Sequence, residues 1–200
     1  MSPIEFKITK TKGKARTGIC KTPHGEFNTP AFMPVGTQGT VKGIDCERLK
    51  ETGAEITLVN TYHLWQRPGE DLIQKLGGIH KFCNWKGPIL SDSGGFQVFS
   101  LQGIRKIEEK GVTFKSHLDG RNLFLSPEIA INIQDKLGVD IAMVLDECPA
   151  GTLDQTQALK SLELTLRWAK RATEVERRDS LAVFGITQGI GFKELRTYAA

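Results

Sequence analysis

Short apolar runs separated by helix-like segments are the feature that most limits how this chain can fold. Five runs follow the first thirty residues and end in small or polar residues: 31–35, 56–59, 89–90, 141–145 and 181–186. Parallel strands need long crossover connections, which are usually helices, whereas antiparallel strands can be joined by short turns. The alternation therefore predicts an α/β fold with parallel strands joined by crossover helices.

Two of the helix-like segments carry clear end signals. Ser126 is a good N-cap with Pro127 at the first helical position, and Gly138 predicts the end of that helix. Asp154 is predicted to cap the second helix, and basic residues at 170–171 suit its C-terminal end. The apolar stripes of both helices are expected to be core and not ligand sites.

Two segments indicate antiparallel strands. Residues 1–30 are predicted to form short strands with a turn at 22–25, because Pro and Gly favour turns. A hairpin insertion is predicted near 111–126, where an alternating pattern surrounds Asp119 and Gly120. No linker-like stretch divides the chain, so one domain over 1–200 is predicted, with the α/β units in 31–200.

Composition describes an ordinary globular chain: 200 residues, 39% hydrophobic and 25% charged, with a net charge of +4. No apolar run approaches the ~20 residues that a membrane helix needs, and the first residues lack the apolar core of a signal peptide. The prediction is a cytoplasmic protein with no membrane partner. The modest positive charge is compatible with a polyanionic partner but does not require one, and basic clusters such as 7–16 are expected to be solvated faces.

Cysteine and histidine spacing predicts no metal ligand set and no disulfide framework within this chain. The residues concerned are Cys20, Cys46, Cys83, Cys148, His24, His63, His80 and His117.

Residues 88–98, PILSDSGGFQV, bring a carboxylate, two glycines and an aromatic ring into one turn after an apolar run. Asp92 can accept or donate a proton, Gly94 and Gly95 allow backbone N–H groups to approach a ligand, and Phe96 offers a stacking face. The pattern suits chemistry on a nucleobase. A simpler interpretation of this motif alone is a helix cap at Asp92 followed by a glycine turn.

The segment 91–100, SDSGGFQVFS, resembles the active-site motif of tRNA-guanine transglycosylases. Further segments match the family in the same order along nearly the whole chain: 29–37, 41–42, 60–64, 67–69, 111–120, 125–128, 146–148, 167–170 and 184–189. The resemblance implies a (β/α)8 TIM barrel, of which this chain holds about the first five strand-helix units. In such barrels catalytic groups lie at the C-terminal ends of the strands, where Asp92, Asp146 and Gln188 are expected.

The resemblance also implies a reaction: guanine at the wobble position of tRNAs with GUN anticodons is exchanged for a 7-deazaguanine base, either a queuosine precursor or queuine. Asp92 matches the proton-transfer position and the base-binding positions match Ser93, Gly94, Gly95, Phe96, Asp146 and Gln188. Double displacement through a covalent tRNA-enzyme intermediate needs a second, nucleophilic aspartate. That aspartate and the ligands of the family's structural zinc belong to a later part of the family sequence, so this chain alone is expected to be inactive and to hold no cofactor.

The motifs are compatible with more than one incoming base and more than one function. Cys148 after 146–147 is typical of bacterial members, which use the aminomethyl precursor, but it does not decide the incoming base. The family implies a homodimer. Two alternatives are a non-catalytic tRNA-binding barrel subunit of the same family, and another barrel enzyme that acts on a nucleoside or phosphorylated sugar. Retention of Asp92, Asp146 and Gln188 favours the catalytic interpretation over the first of these.

Overall fold

A computed structural model describes residues 3–100 and 105–200, which form strands in three sheets together with helices. The strands are β1 (Glu5–Lys12), β2 (Ala15–Thr22), β3 (Gly25–Thr29), β4 (Val35–Gly36), β5 (Thr57–Val59), β6 (Ile89–Ser91), β7 (Lys106–Glu108), β8 (Gly111–Lys115), β9 (Asn122–Leu125), β10 (Ile141–Met143) and β11 (Ala182–Phe184). The helices are α1 (Cys46–Glu51), α2 (Thr61–Gln66), α3 (Glu70–Lys75), α4 (Ile79–Phe82), α5 (Gly95–Ser100), α6 (Pro127–Leu137), α7 (Gln155–Thr173) and α8 (Lys193–Ala199).

The central sheet confirms the predicted parallel strands. Its order is β11-β10-β6-β5-β4, so strands that follow one another in this set are also neighbours in space, and all four pairings are parallel. The structure is therefore a mixed α/β fold in which the carboxyl ends of five strands meet at one edge.

The first of these strands is shorter and later than predicted. Residues 31–34 were expected to be extended into the sheet, but β4 contains only Val35 and Gly36. Pro34 has no backbone N–H to donate to a neighbouring strand, although its carbonyl accepts from Leu58 N at 3.0 Å. Phe32 is consequently left outside the sheet and is highly exposed.

The N-terminal sheet and both helix caps are as predicted. Strands β1, β2 and β3 are antiparallel, the turn lies between Thr22 and Gly25, and every residue of β1 is exposed. Ser126 accepts a hydrogen bond from Ile129 N at the start of α6, which ends at a left-handed Gly138. Asp154 forms a capping box with Gln157 at the start of α7.

The insertion is larger than a hairpin. Strands β8 and β9 pair as predicted, but β7 adds a third antiparallel strand that the sequence did not indicate. The turn is also wider than the predicted tight one, because Ser116 N bonds to Arg121 O and Gly120 adopts a positive φ of 72° inside that loop.

A buried polar residue ties the sheet to α6. Gln134 accepts from the Ser91 hydroxyl at 2.7 Å and from Met143 N at 2.9 Å, and its amide donates to Met143 O at 3.0 Å. These bonds satisfy a side chain that lies within the apolar core. They also hold the carboxyl ends of β6 and β10 beside each other, where the candidate site begins.

No helix of the described residues is both long and apolar enough to span a membrane. The four cysteines are all free thiols.

Candidate active site

Polar side chains gather at the carboxyl ends of the parallel strands. Asn60 follows β5 directly, Asp92 follows β6 directly, and Asp146 and Gln188 lie a few residues beyond β10 and β11. Because these strands are parallel neighbours, their ends place residues from distant parts of the sequence at one edge.

Asp92 is held by four donors, all of them uncharged. Its Oδ1 accepts from Thr61 N at 2.9 Å and from Gly94 N at 3.1 Å. Its Oδ2 accepts from the Gln97 side-chain amide at 3.0 Å and from the Asn60 amide. The carboxyl group is therefore fixed in one orientation before any ligand enters. Sequence reasoning assigned no role to Asn60 or Gln97, although both lie in the motifs quoted above.

Burial sets the protonation of Asp92. Removal from water raises the pKa of this carboxyl above its usual value, and the hydrogen bonds from Asn60, Thr61, Gln97 and Gly94 only partly oppose that rise. A carboxyl group with a raised pKa is suited to proton transfer near neutral pH.

Asp146 and Gln188 lie in direct contact. The Gln188 amide donates to Asp146 Oδ2, and the Ser93 hydroxyl also hydrogen-bonds the Asp146 carboxyl group. Burial raises the pKa of Asp146 to about 6 against the opposing effect of these bonds, and the negative charge of Asp92 adds to the rise. The predicted site residues Asp92, Ser93, Asp146 and Gln188 are thus brought together.

The two glycines let the turn pack closely against neighbouring residues. Gly94 has a positive φ of 81°, and a Cβ there would lie 3.3 Å from Tyr62 Cβ. A Cβ on Gly95 would lie 3.0 Å from the Asp146 carbonyl oxygen and 3.2 Å from Oδ1 of the same residue. The turn can therefore approach Tyr62 at Gly94 and Asp146 at Gly95 because neither position carries a side chain.

Phe96 lies in the first turn of α5 and has 64% of its surface exposed. An aromatic ring this open is not part of the core. Its face is accessible to a planar ligand, as its predicted stacking role requires.

The insertion contacts the site through a histidine. The Tyr62 hydroxyl lies 2.7 Å from His117 Nδ1, and the His63 ring packs edge-on against both rings. Burial and the nearby His117 lower the pKa of His63, so its neutral form is favoured. Tyr62 also packs against Gly94. It directly follows Thr61, whose backbone N–H donates to Asp92.

Two carboxyl groups with raised pKa values, beside a glycine turn and an open aromatic ring at the carboxyl ends of parallel strands, mark the candidate active site of an α/β protein. The family model described as queuine tRNA-ribosyltransferase matches residues 10–200. The chain belongs to the queuine tRNA-ribosyltransferase family.

Individual relatives agree with this assignment. The chain is 55% identical to a queuine tRNA-ribosyltransferase of Acetivibrio thermocellus over 100% of this chain and 54% of the relative. It is 57% identical to a protein of that name from Enterococcus faecalis, over 98% of this chain and 52% of the relative. It is 53% identical to one from Fusobacterium nucleatum, over 97% of this chain and 52% of the relative. The chain thus spans about half the length of the curated relatives it matches.

Proposed function

We propose that this chain supplies the base-binding part of a tRNA-guanine transglycosylase, which exchanges guanine at the wobble position of tRNA for a 7-deazaguanine base. The observation that carries the proposal is the contact of the buried Asp146 with Gln188 and Ser93. Ser93 directly follows Asp92, the second carboxyl group of raised pKa. The five-stranded parallel sheet supports the proposal that this chain supplies about the first five units of a (β/α)8 barrel, which the proposed enzyme completes with further units.

The edge of a guanine-like ring explains the choice of groups at the site. The ring offers adjacent N–H donors, which suit the Asp146 carboxylate, and a carbonyl acceptor, which suits the Gln188 amide. A base that enters between them exchanges the Gln188–Asp146 bond for bonds to its own edge. Gly94 and Gly95 give room for the ring edge, and Phe96 stacks on the ring face.

Asp92 is proposed to move the proton. It protonates the departing guanine and later removes a proton from the incoming base, which a carboxyl group of raised pKa can do in both directions. The glycosidic bond breaks as a separate nucleophilic aspartate attacks the anomeric carbon, and the covalent intermediate is resolved by the incoming base.

Residues outside this chain are proposed to supply the nucleophilic aspartate and the ligands of the family's structural zinc. The 200 residues alone are therefore proposed to be inactive in exchange. The proposed partner is tRNA, the proposed assembly is a homodimer, and the proposed compartment is the cytoplasm, where tRNA is available.

The test is an exchange assay in a protein that carries this chain and continues to the length of its relatives. We expect Asp92→Ala to reduce incorporation of labelled guanine into tRNA by about 10²- to 10⁴-fold, the usual contribution of general acid-base catalysis, while tRNA binding changes little. Asp179→Ala, at an exposed position, is the control. Exchange at the wild-type rate in Asp92→Ala would remove Asp92 from the mechanism.

The same assay separates the proposal from a non-catalytic tRNA-binding subunit. Such a subunit binds tRNA without exchanging any base, and it has no need for two neighbouring carboxyl groups kept at a raised pKa. Binding without exchange in the wild-type protein would favour that alternative.

A further inference from the structure

A second cluster of ionisable groups lies at the opposite end of the parallel sheet from the candidate active site. Asp140 directly precedes β10, His80 lies in α4, and His24 lies in the turn between β2 and β3. One ligand atom from each of the three residues lies within 4.8 Å of the others. Sequence spacing did not indicate this group, because its members are 60 and 116 residues apart along the chain.

Asp140 is the centre of the cluster. Its side chain is fully buried, and its Oδ1 accepts from His24 Nδ1 at 2.8 Å and from His24 N at 3.2 Å. Its Oδ2 accepts from His80 Nε2 at 3.1 Å and from Ile89 N at 2.9 Å. Each oxygen is thus bonded to one backbone N–H and one imidazole nitrogen.

The cluster can gain electrostatically from a bound cation. Within residues 3–100 and 105–200, the ion-pair partners of Asp140 are the two histidines and no Lys or Arg. Neutral imidazoles leave a buried negative charge without a counterion, which is costly. Two protonated imidazoles place like charges in rings stacked 3.6 Å apart. One protonated imidazole would balance the carboxylate, and one divalent cation shared by all three side chains would balance it with both imidazoles neutral.

We propose that His24, His80 and Asp140 form a binding site for a divalent transition-metal ion such as Zn²⁺. Imidazole nitrogen and carboxylate oxygen are the usual ligands of such ions. In a tetrahedral site with bonds of about 2.0–2.1 Å, neighbouring ligand atoms lie roughly 3.3 Å apart. The nitrogen-to-oxygen distances, 2.8 Å to Oδ1 and 3.1 Å to Oδ2, are near that spacing, and the three ligand atoms lie within 4.8 Å of one another. Binding of one ion then requires the stacked imidazole rings to tilt toward a common point.

Neutral imidazoles can bind the metal without releasing a proton, because each ring keeps its proton on the other nitrogen. The proton of His24 moves from Nδ1 to Nε2, and the proton of His80 moves from Nε2 to Nδ1, so each freed lone pair binds the metal. Asp140 keeps its backbone bonds to His24 N and Ile89 N. His24 is partly exposed and its side of the cluster is open to solvent, which leaves the fourth position to water. The ion then links the N-terminal sheet to the parallel sheet.

The first experiment is a Co²⁺ titration of the 200-residue chain, read by the visible absorption of tetrahedral Co²⁺. We expect a saturable band with one ion per chain and no thiolate charge-transfer band. His24→Asn and His80→Gln each keep an amide N–H that can replace the imidazole donor to Asp140, yet they remove a strong metal ligand. Each is expected to weaken Co²⁺ binding by about tenfold or more. Replacing residues that merely support metal ligands already weakens metal affinity by about that factor, and here a ligand itself is removed.

His117→Asn is the matched control, because it makes the same replacement at a ring that contacts Tyr62 and not Asp140. It should bind Co²⁺ as the wild-type chain does. Equal binding by wild-type and His24→Asn/His80→Gln double-variant chains, or no saturable band in the wild-type chain, overturns the proposal.

A measurement on the wild-type chain covers the case of variants that do not fold. In ¹H–¹⁵N spectra of the imidazole groups, added Zn²⁺ should shift the ring nitrogens of His24 and His80 and leave those of His63 and His117 in place. Zn²⁺-induced shifts confined to His63 and His117, or no shift at any ring, contradict the site.

Discussion

Asp92, which is partly buried, and Asp140, which is fully buried, lie at opposite ends of the same parallel sheet. The pKa of Asp92 is raised, whereas the pKa of Asp140 is lowered. Each carboxyl group accepts four hydrogen bonds, and burial is the largest influence on both. At Asp92 burial prevails over four uncharged donors. At Asp140 the bonds from His80, His24 and Ile89 N–H and the charge of His80 outweigh burial, so the pKa is held below its usual value.

The comparison shows that the direction of the pKa shift depends more on the kind of hydrogen-bond donor than on the number of donors. Amide donors stabilise a carboxylate, but they carry no charge to offset its loss of hydration. An imidazole can carry a positive charge and therefore stabilises the ionised form more strongly. The carboxyl end of the sheet therefore keeps its acids ready to take up protons at a cost in stability. The amino end keeps its acid ionised and uses it to hold the N-terminal sheet.

The largest effect on stability is expected at Asp140. Asp140→Ala leaves two backbone N–H groups and two imidazoles without their acceptor, and breaking a buried charged network of this kind costs about 3–5 kcal/mol of unfolding free energy. Urea unfolding at neutral pH measures the change. Asp179→Ala is the control, and a loss below about 1 kcal/mol for Asp140→Ala would contradict the proposed difference between the two ends.

A smaller change of opposite sign is expected at Asp146. The pKa of this carboxyl is about 6 in the folded chain against an ordinary value of 3.8, so folding prefers the protonated form. Stability is therefore lost as pH rises from about 4 to about 6, by roughly 3 kcal/mol at 1.36 kcal/mol per unit. Asp146→Asn should be more stable than the wild-type chain by up to that amount at about pH 8, and the gain should vanish below about pH 4.

Urea unfolding at both pH values tests this prediction, with Asp179→Asn as the control at an exposed position. A destabilised Asp146→Asn chain at about pH 8 would contradict it. That result would show that the Asp146 carboxylate stabilises the carboxyl end of the sheet, as Asp140 stabilises the amino end.

The smallest effect is expected at Tyr62. Tyr62→Phe removes the hydroxyl that meets His117 at 2.7 Å, and a neutral hydrogen bond of this kind contributes about 1 kcal/mol. Tyr198→Phe, on an exposed ring, is the control in the same unfolding measurement. A loss as large as that of Asp140→Ala would mean that the insertion, and not the histidine cluster, dominates the stability of the sheet ends.

Local signals in the sequence predicted most of the fold. The caps at Ser126 and Asp154 act within a few residues of themselves, and the apolar runs of the strands need no partner to be recognised. The third strand of the insertion, β7, was missed because the only apolar residue of Lys106–Glu108 is Ile107, which shows no alternation by itself.

The site was predictable where it coincides with family motifs and not elsewhere. The resemblance pointed to Asp92, Asp146 and Gln188, and the structure brings these ends together. The partners that set their protonation were missed, because Asn60 reaches Asp92 only after β5 and β6 have paired. Asp140 and Gln134 were missed for the same reason, since a lone polar residue beside an apolar run has no local sign of a buried role.

The most direct test of this account is a ¹³C titration of the aspartate side-chain carboxyls, with and without guanine. We predict that Asp146 titrates near pH 6 and Asp140 below 3.8. Added guanine should lower the pKa of Asp146, because the ionised carboxylate accepts the N–H donors of the base. An ordinary pKa for Asp146, or one that guanine leaves unchanged, would contradict the proposal that this carboxyl group reads the base.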